Sequence, residues 1–145
     1  MKLKLIPVCL LFVLLLGLVA CSPAGSSAKS VEVSCDDFSA SKNITKQLEV
    51  KAGDTFTVIL CSNPTTGFSW SETAKISNSG VVEQADHKFN APASETPPLA
   101  GAPGKEVWTF KALKSGTSTI SMEYGRPWEG GEKAEWTFEL TVVVK

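Results

Sequence analysis

The chain has 145 residues, 20% of them charged, and a formal net charge of -1, with a sequence pI near 5.8. That balance excludes the electrostatic footprint of a nucleic-acid binder, and no basic stripe interleaved with aromatics occurs in the sequence. Beyond the N-terminal segment there is enough chain for one hydrophobic core and too little for two.

Lys2 and Lys4 precede an apolar run over residues 5–20 that is interrupted only by Pro7 and Gly17. The run is at the short end for a membrane span and has the layout of a secretory signal. It closes on Leu18-Val19-Ala20-Cys21, the pattern of a bacterial lipobox, in which the cysteine becomes the lipid-bearing first residue. The expected organisation is a signal peptide over 1–20, a lipidated flexible tether over 21–30 and a folded domain over 31–145. Such a chain is exported and held on the cell membrane or outer membrane by lipid on Cys21, its domain facing the periplasm or the exterior. The alternatives are a plain signal peptide with an incidental cysteine and an uncleaved anchor helix.

Of the four cysteines, Cys9 belongs to the signal and Cys21 takes the lipid. Cys35 and Cys61 remain, in a compartment where disulfides persist, and a bridge between them is the economical expectation. Strand parity opposes a plain cross-strand bridge. Cys35 shares a face with Val31 and Val33, whereas Cys61 lies opposite the face of Phe56, Val58 and Leu60. A bulge or a strand-end position would reconcile the two.

Along the rest of the chain period-two alternation dominates, and no segment shows a helical stripe. Val31 to Cys35 and Lys46 to Val50 are short candidates. Phe56, Val58 and Leu60 alternate with Thr55 and Thr57. Shorter runs occupy 68–72, 81–89 and 106–113. Ile120, Met122 and Tyr124 alternate with Thr119, Ser121 and Glu123. The last run is the clearest, with Trp136, Phe138, Leu140, Val142 and Val144 against Thr137, Glu139 and Thr141. Gly-, Asn- and Pro-containing turns fall between them. About seven to eight short strands with such punctuation predict an all-β, immunoglobulin-like sandwich of two sheets. Trp70, Trp108 and Trp136 fall in strand segments and are assigned to the core or the strand faces.

Three connections are unusual. Residues 62–68 form a polar turn in an apolar context. Residues 90–104 form a proline-rich loop of about fifteen residues, a length that in a compact domain is usually functional or disordered. Residues 125–131 place Trp128 at a hairpin tip, where a large aromatic forgoes burial and marks a contact surface. The plain readings are a good turn, a mobile loop and a tryptophan folded back as an end plug.

These three stretches resemble the chagasin family of cysteine protease inhibitors. Asn63-Pro64-Thr65-Thr66-Gly67-Phe68 is similar to that family's NPTTG-aromatic loop, with Trp70 at the family's spacing, and Arg126-Pro127-Trp128 is similar to its RPW loop. Gly101-Ala102-Pro103-Gly104 sits where the family carries G-x-G-G, and departs from it at Pro103. The resemblance covers the domain from about Val31 and implies an immunoglobulin-like sandwich with the three loops clustered at one end. There they would form a wedge that reversibly and non-covalently fills the active-site cleft of a papain-like cysteine protease. The first loop would sit over the catalytic Cys–His pair, the middle loop along the non-primed side and the third over the primed side. The partner it implies is such a protease; the lipobox adds a membrane through lipid on Cys21, and the domain is expected to work as a monomer.

The residue chemistry suits those roles. Pro64 fixes its own φ and biases Asn63 to an extended conformation, Asn63 is placed to cap the turn, and Gly67 opens φ > 0. Thr65 and Thr66 are small enough for a narrow cleft, with hydroxyls placed to bond near the catalytic centre. Pro127 stiffens the third loop, Trp128 offers an apolar face and Arg126 a charged hydrogen-bonding fork. A non-inhibitory cell-surface binding module on the same scaffold is the alternative. An enzyme is disfavoured by the lone His87, which reads as a surface or strand-end imidazole, and by the lack of an activated nucleophile. No metal or cofactor is expected: Asp36-Asp37 reads as a solvated strand end.

Overall fold

A computed structural model describes residues 28–92 and 101–145. The expected signal peptide, Cys9, Cys21, most of the tether and residues 93–100 of the middle loop lie outside the described residues. The chain runs β1 (Lys29–Val33), a short helix α1 (Cys35–Ala40), β2 (Asn43–Val50), β3 (Thr55–Ser62), a 3-10 turn (Pro64–Thr66) and β4 (Ser69–Trp70). It continues through β5 (Lys75–Ile76), β6 (Val82–Asn90), β7 (Gly104–Ala112), β8 (Gly116–Gly125) and β9 (Trp136–Val144).

Hydrogen bonding orders these strands β1-β3-β7-β6 in one sheet and β2-β9-β8-β4 in the other, with β5 also paired to β8. Each sheet carries one parallel pair, β1 on β3 and β2 on β9, and is otherwise antiparallel. The alternation read from the sequence becomes the two inner faces of a sandwich. Phe56, Val58, Leu60, Trp108 and Phe110 are buried from one sheet, and Ile120, Met122, Tyr124, Phe138, Leu140 and Val142 from the other. Burial of such a set at about 25 cal/mol per Å² of apolar surface is the main stabilising term for a domain of this kind.

Three expectations need correction. The first strand starts at Lys29, so the fold takes up the last residues assigned to the tether. The expected strand over 68–72 shortens to the two residues of β4, and β5, too short to produce a periodic signal, lies outside the runs read from the sequence. Asp36 and Asp37 lie in the first turn of a helix, not at a strand end. Ser34 and Asp37 form a capping box: the Asp37 N–H donates to Ser34 Oγ at 3.1 Å and the Ser34 N–H to Asp37 Oδ2 at 2.9 Å. The helix has six residues and one buried side chain, Phe38, stacked on Trp136 at 5.0 Å. One buried position makes no stripe, which is why pattern reading passed over it.

The same helix resolves the parity conflict between the cysteines. Cys35 lies beyond the end of β1, as the first residue of α1, and is released from strand alternation. It is bonded to Cys61 with their Cα atoms 5.1 Å apart, which ties α1 to the far end of β3. His87 also differs from expectation. It is half-buried on β6, its ring 4.7 Å from that of Trp108 and its Nε2 2.8 Å from Glu106 Oε2, because the register of β6 on β7 sets it opposite Trp108.

Strand direction fixes the two poles. β3 ends, and β7 begins, at the end that carries residues 63–68 and 101–103. β1, parallel to β3, enters from the opposite end.

Replacing Cys35 and Cys61 together by Ala is expected to lower unfolding free energy by about 3 kcal/mol, the entropy of a loop of this size. Urea denaturation of the oxidised chain and the variant measures it. Asp37 is held below the ordinary carboxylate range by the Ser34 hydroxyl, then by the Ser34 backbone N–H. A depressed folded-state pKa contributes stability above the unfolded value that is lost as pH falls through the folded one. Asp37→Asn should therefore flatten the acid limb of a stability profile taken between about pH 2 and 6.

Candidate functional site

The first loop is a single 3-10 turn closed by backbone bonds from Thr66 N–H to Asn63 O (3.2 Å) and from Gly67 N–H to Pro64 O (3.0 Å). Pro64 stands at the first helical position, where its missing N–H costs nothing. Gly67 adopts φ 78°, the left-handed conformation the turn requires. The Asn63 side chain does not cap the turn's backbone. Its Oδ1 accepts the Thr65 hydroxyl at 2.6 Å, and its Nδ2 reaches across to Gly101 O at 2.9 Å. The Thr66 hydroxyl donates to Asn63 O at 2.6 Å. Both threonine protons are thus committed inside the loop, and Pro64, Thr65 and Thr66 present methyl groups, ring carbons and backbone to solvent.

Beneath the loop, the Asn63 N–H donates to the phenolic oxygen of Tyr124 at 2.9 Å. Tyr124 is buried at the inward position next to the end of β8. Its ring stacks on Trp136 at 4.7 Å and Phe68 at 5.6 Å, and leans on Trp70 at 5.1 Å. Trp70 in turn donates its indole N–H to Cys61 O at 2.8 Å.

The third loop is longer than the expected 125–131 tip, because β9 begins only at Trp136. It is pinned by the Arg126 N–H to Glu132 O at 2.7 Å and by Lys133 Nζ, which donates to the carbonyls of Arg126 and Trp128. Trp128 is 52% exposed, yet its ring edge passes so close to Gly67 that a Cβ there would lie 2.8 Å from Trp128 Cη2. Arg126 is not a free fork. Its guanidinium carbon lies 4.6 Å from the centre of the Phe68 ring and 5.8 Å from that of Trp128. The cation is held by the faces of two rings, one from each loop, and braces the wedge from within.

Of the middle loop, Gly101 to Gly104 is described. Gly101 has φ 83°. Gly104 opens β7 opposite Ser62, and a Cβ on it would meet Asn90 O at 2.5 Å and the Phe89 ring at 2.6 Å. Only glycine fits. Ala102 is half-buried between them and Pro103 is exposed. Pro103 rims a shallow pocket of about 360 Å³ with Asn63, Thr66, Phe68, Tyr124 and Trp136.

The structure thus brings the sequence-predicted residues of all three loops to one pole. Pro127 is exposed beside Trp128. Sequence reasoning missed Tyr124, Lys133 and a polar group under the first loop. In that group the fully buried Ser62 hydroxyl donates to Glu106 Oε1 at 2.6 Å, and Glu106 Oε2 meets His87. The carboxylate lies between serine and imidazole and accepts the serine hydrogen bond, so the imidazole does not contact that hydroxyl as the base of a nucleophile–base pair would. A tyrosine at an inward strand position needs a hydrogen-bond partner, and that was the signal available for Tyr124. Among the described residues no cluster of His, Cys, Asp or Glu side chains is placed to hold a metal.

The family model of the Chagasin family peptidase inhibitor I42 matches residues 49–142, which include all three loops. Chagasin of Trypanosoma cruzi is 34% identical over 85 residues, 57% of this chain and 74% of its own length. Amoebiasin-2 of Entamoeba histolytica is 26% identical over 98 residues, 68% of this chain and 76% of its own. Among solved structures, the cysteine protease inhibitor EhICP2 of Entamoeba histolytica superposes with a TM-score of 0.63 at 22% identity, covering 83% of this chain and all of that one. PbICP-C, solved in complex with falcipain-2, gives 0.56 at 20% identity over 81% of this chain and all of its own. The chain belongs to the chagasin family, a family of peptidase inhibitors and not of enzymes.

Tyr124→Phe removes the acceptor of the Asn63 N–H and is expected to cost about 1 kcal/mol of stability. Amide exchange at Asn63 should quicken more than at Thr57 in the middle of β3, which separates loosening of the loop from general destabilisation.

Proposed function

We propose that this protein is a reversible, non-covalent inhibitor of papain-like cysteine proteases that acts by filling the active-site cleft. The observation that carries this reading is the cross-bracing of three loops at one pole: Asn63 to Gly101, and Gly67 against Trp128. A wedge ordered before binding loses little conformational entropy on association. In its centre the turn at Pro64-Thr65-Thr66 is narrow, and its backbone is closed into a 3-10 turn where a protease substrate must be extended. It therefore occupies a cleft without presenting a peptide bond in a cleavable register.

Trp128 provides the large exposed apolar face beside that turn, and Gly101 to Gly104 the opposite flank. Arg126 acts by holding Phe68 and Trp128 in place. The relatives support the target class: EhICP2 is a cysteine protease inhibitor, and PbICP-C forms a complex with falcipain-2. We further propose that the domain works as a monomer, exported and anchored through lipid on Cys21. The lipobox sequence supports the anchor, and so does the entry of β1 at the pole away from the loops, which leaves the wedge free of its own tether.

Titration of papain with the purified protein, following residual activity, should show tight inhibition that reverses on dilution. Trp128→Ala and Thr66→Arg should each weaken it at least about tenfold, equivalent to about 1.4 kcal/mol, with the melting temperature of Trp128→Ala unchanged. Folded protein without effect at micromolar concentration would sink the assignment.

A further inference from the structure

The pole opposite the wedge has its own chemistry. The turn after β2 places Lys51 there, and its Gly53 N–H bonds to Ala112 O at 2.8 Å, which brings it against the β7–β8 turn with Leu113 and Lys114. Lys29, at the start of β1, extends its ammonium to Glu49 O beside them. Lys145 and Lys111 complete the set. Lys145 is paired with Glu49 at 2.6 Å, and Lys111 is offset by Glu83, its neighbour in the register. Among the side chains of the described residues that leaves Lys29, Lys51 and Lys114 beside Asp54, whose Oδ2 is already engaged by the Lys51 N–H at 3.0 Å. Lys51 and Lys114 enter no ion pair among the described residues. Leu113 stands in their midst, 38% exposed.

At the wedge pole Lys42 and Lys105 are paired with Glu135 and Glu32. Asp36, Asp37, Glu129 and Glu132 are all exposed there, against the two cations of the third loop, Arg126 and Lys133, which are engaged by ring faces and backbone carbonyls. The domain therefore carries a charge axis: an excess of free lysines where the chain enters, and carboxylates around the loops. Lys29 lies eight positions after Cys21, a span of at most about 29 Å even when fully extended.

We infer that the pole formed by Lys29, Lys51, Leu113 and Lys114 is a membrane-facing surface that rests on anionic lipid headgroups and holds the wedge pointing away from the bilayer. The surface is too weakly charged to recruit the protein by itself. On a chain already attached at the membrane the contact becomes intramolecular, and a modest attraction suffices to orient the domain. Leu113 reaches the headgroup boundary while the ammonium groups meet the phosphates. An anionic surface repels the carboxylates of the wedge pole over about one Debye length, roughly 8 Å at physiological salt. Both effects turn the same end outward. The inference rests on the membrane attachment proposed above, and its test reads the two separately.

The full chain is reconstituted on vesicles of phosphatidylglycerol or of phosphatidylcholine, and its lysines are footprinted with an amine-acylating reagent. Lys29, Lys51 and Lys114 should react about fivefold more slowly on the anionic vesicles, and should regain their reactivity at about 1 M salt, where screening shortens to about 3 Å. Lys75 and Lys133 should react equally on both. Lys51→Glu with Lys114→Glu should abolish the slowing at Lys29 while leaving the melting temperature and papain inhibition unchanged. Equal reactivity of Lys51 and Lys114 on the two lipids, or protection of Lys133 in their place, overturns the inference. The mass of the peptide carrying Cys21 reports lipidation independently. A chain without lipid on Cys21 that stays on the vesicles through an uncleaved N-terminal segment, with Lys114 still protected, refutes the anchor chemistry and leaves the docking surface standing.

Discussion

Tyr124 sits at the inward position beside the end of β8, its ring stacked between Phe68 and Trp136 and its hydroxyl accepting the N–H of Asn63. Everything at the wedge pole is referred to that side chain. The aromatic contacts run from Phe68 to Tyr124 and on from it through Trp136 to Phe38 and through Trp70 to Trp108, so that the floor of the loops is continuous with the core. The phenol sets the height of the first loop, Phe68 gives Arg126 one of its two ring faces, and Arg126 carries that position to Trp128. A wedge built on a packed aromatic floor keeps its shape in the absence of a partner, and that rigidity is what an inhibitor requires to bind without being processed.

The second constraint comes from covalent and polar anchors at the roots of the loops. The Cys35–Cys61 bridge lies just ahead of Asn63 and couples the first loop to α1. Ser62, between the bridge and the loop, is tied to Glu106 just inside β7, the strand that follows the middle loop. Loops one and three are therefore braced through rings, and loops one and two through polar contacts, with Asn63 taking part in both. The replacement of the family's second glycine by Pro103 leaves this bracing intact. Pro103 is exposed on the rim of the pocket, and the position where a Cβ has no room is Gly104.

Much of the fold was legible in the chain. Period two is a direct consequence of strand geometry, so Phe56, Val58 and Leu60, and the run from Trp136 to Val144, declared their inward faces without reference to any partner. The elements that were missed are those too short to repeat. α1 has one buried residue, β5 has two residues, and no pattern can be drawn through so few positions. The Cys35–Cys61 pairing followed from counting, but its geometry waited on α1, because only a chain that leaves the strand can turn Cys35 out of its parity.

At the site the division is the same. Proline at position 64 and glycine at position 67 act on their own backbone, so the shape of the first loop was a local property that the sequence by itself determined. The sandwich, the family and the membership of the three loops were determined in the same way, by alternation and by motifs. Which groups those loops hold was decided only by the tertiary structure. Asn63 is drawn from the backbone of its own turn to Gly101, Arg126 is drawn from solvent onto Phe68, and His87 is drawn from a strand end onto Trp108 and Glu106. In each case the competing partner lies tens of residues away in the chain and is brought within reach only by the pairing of strands and the packing of one sheet on the other.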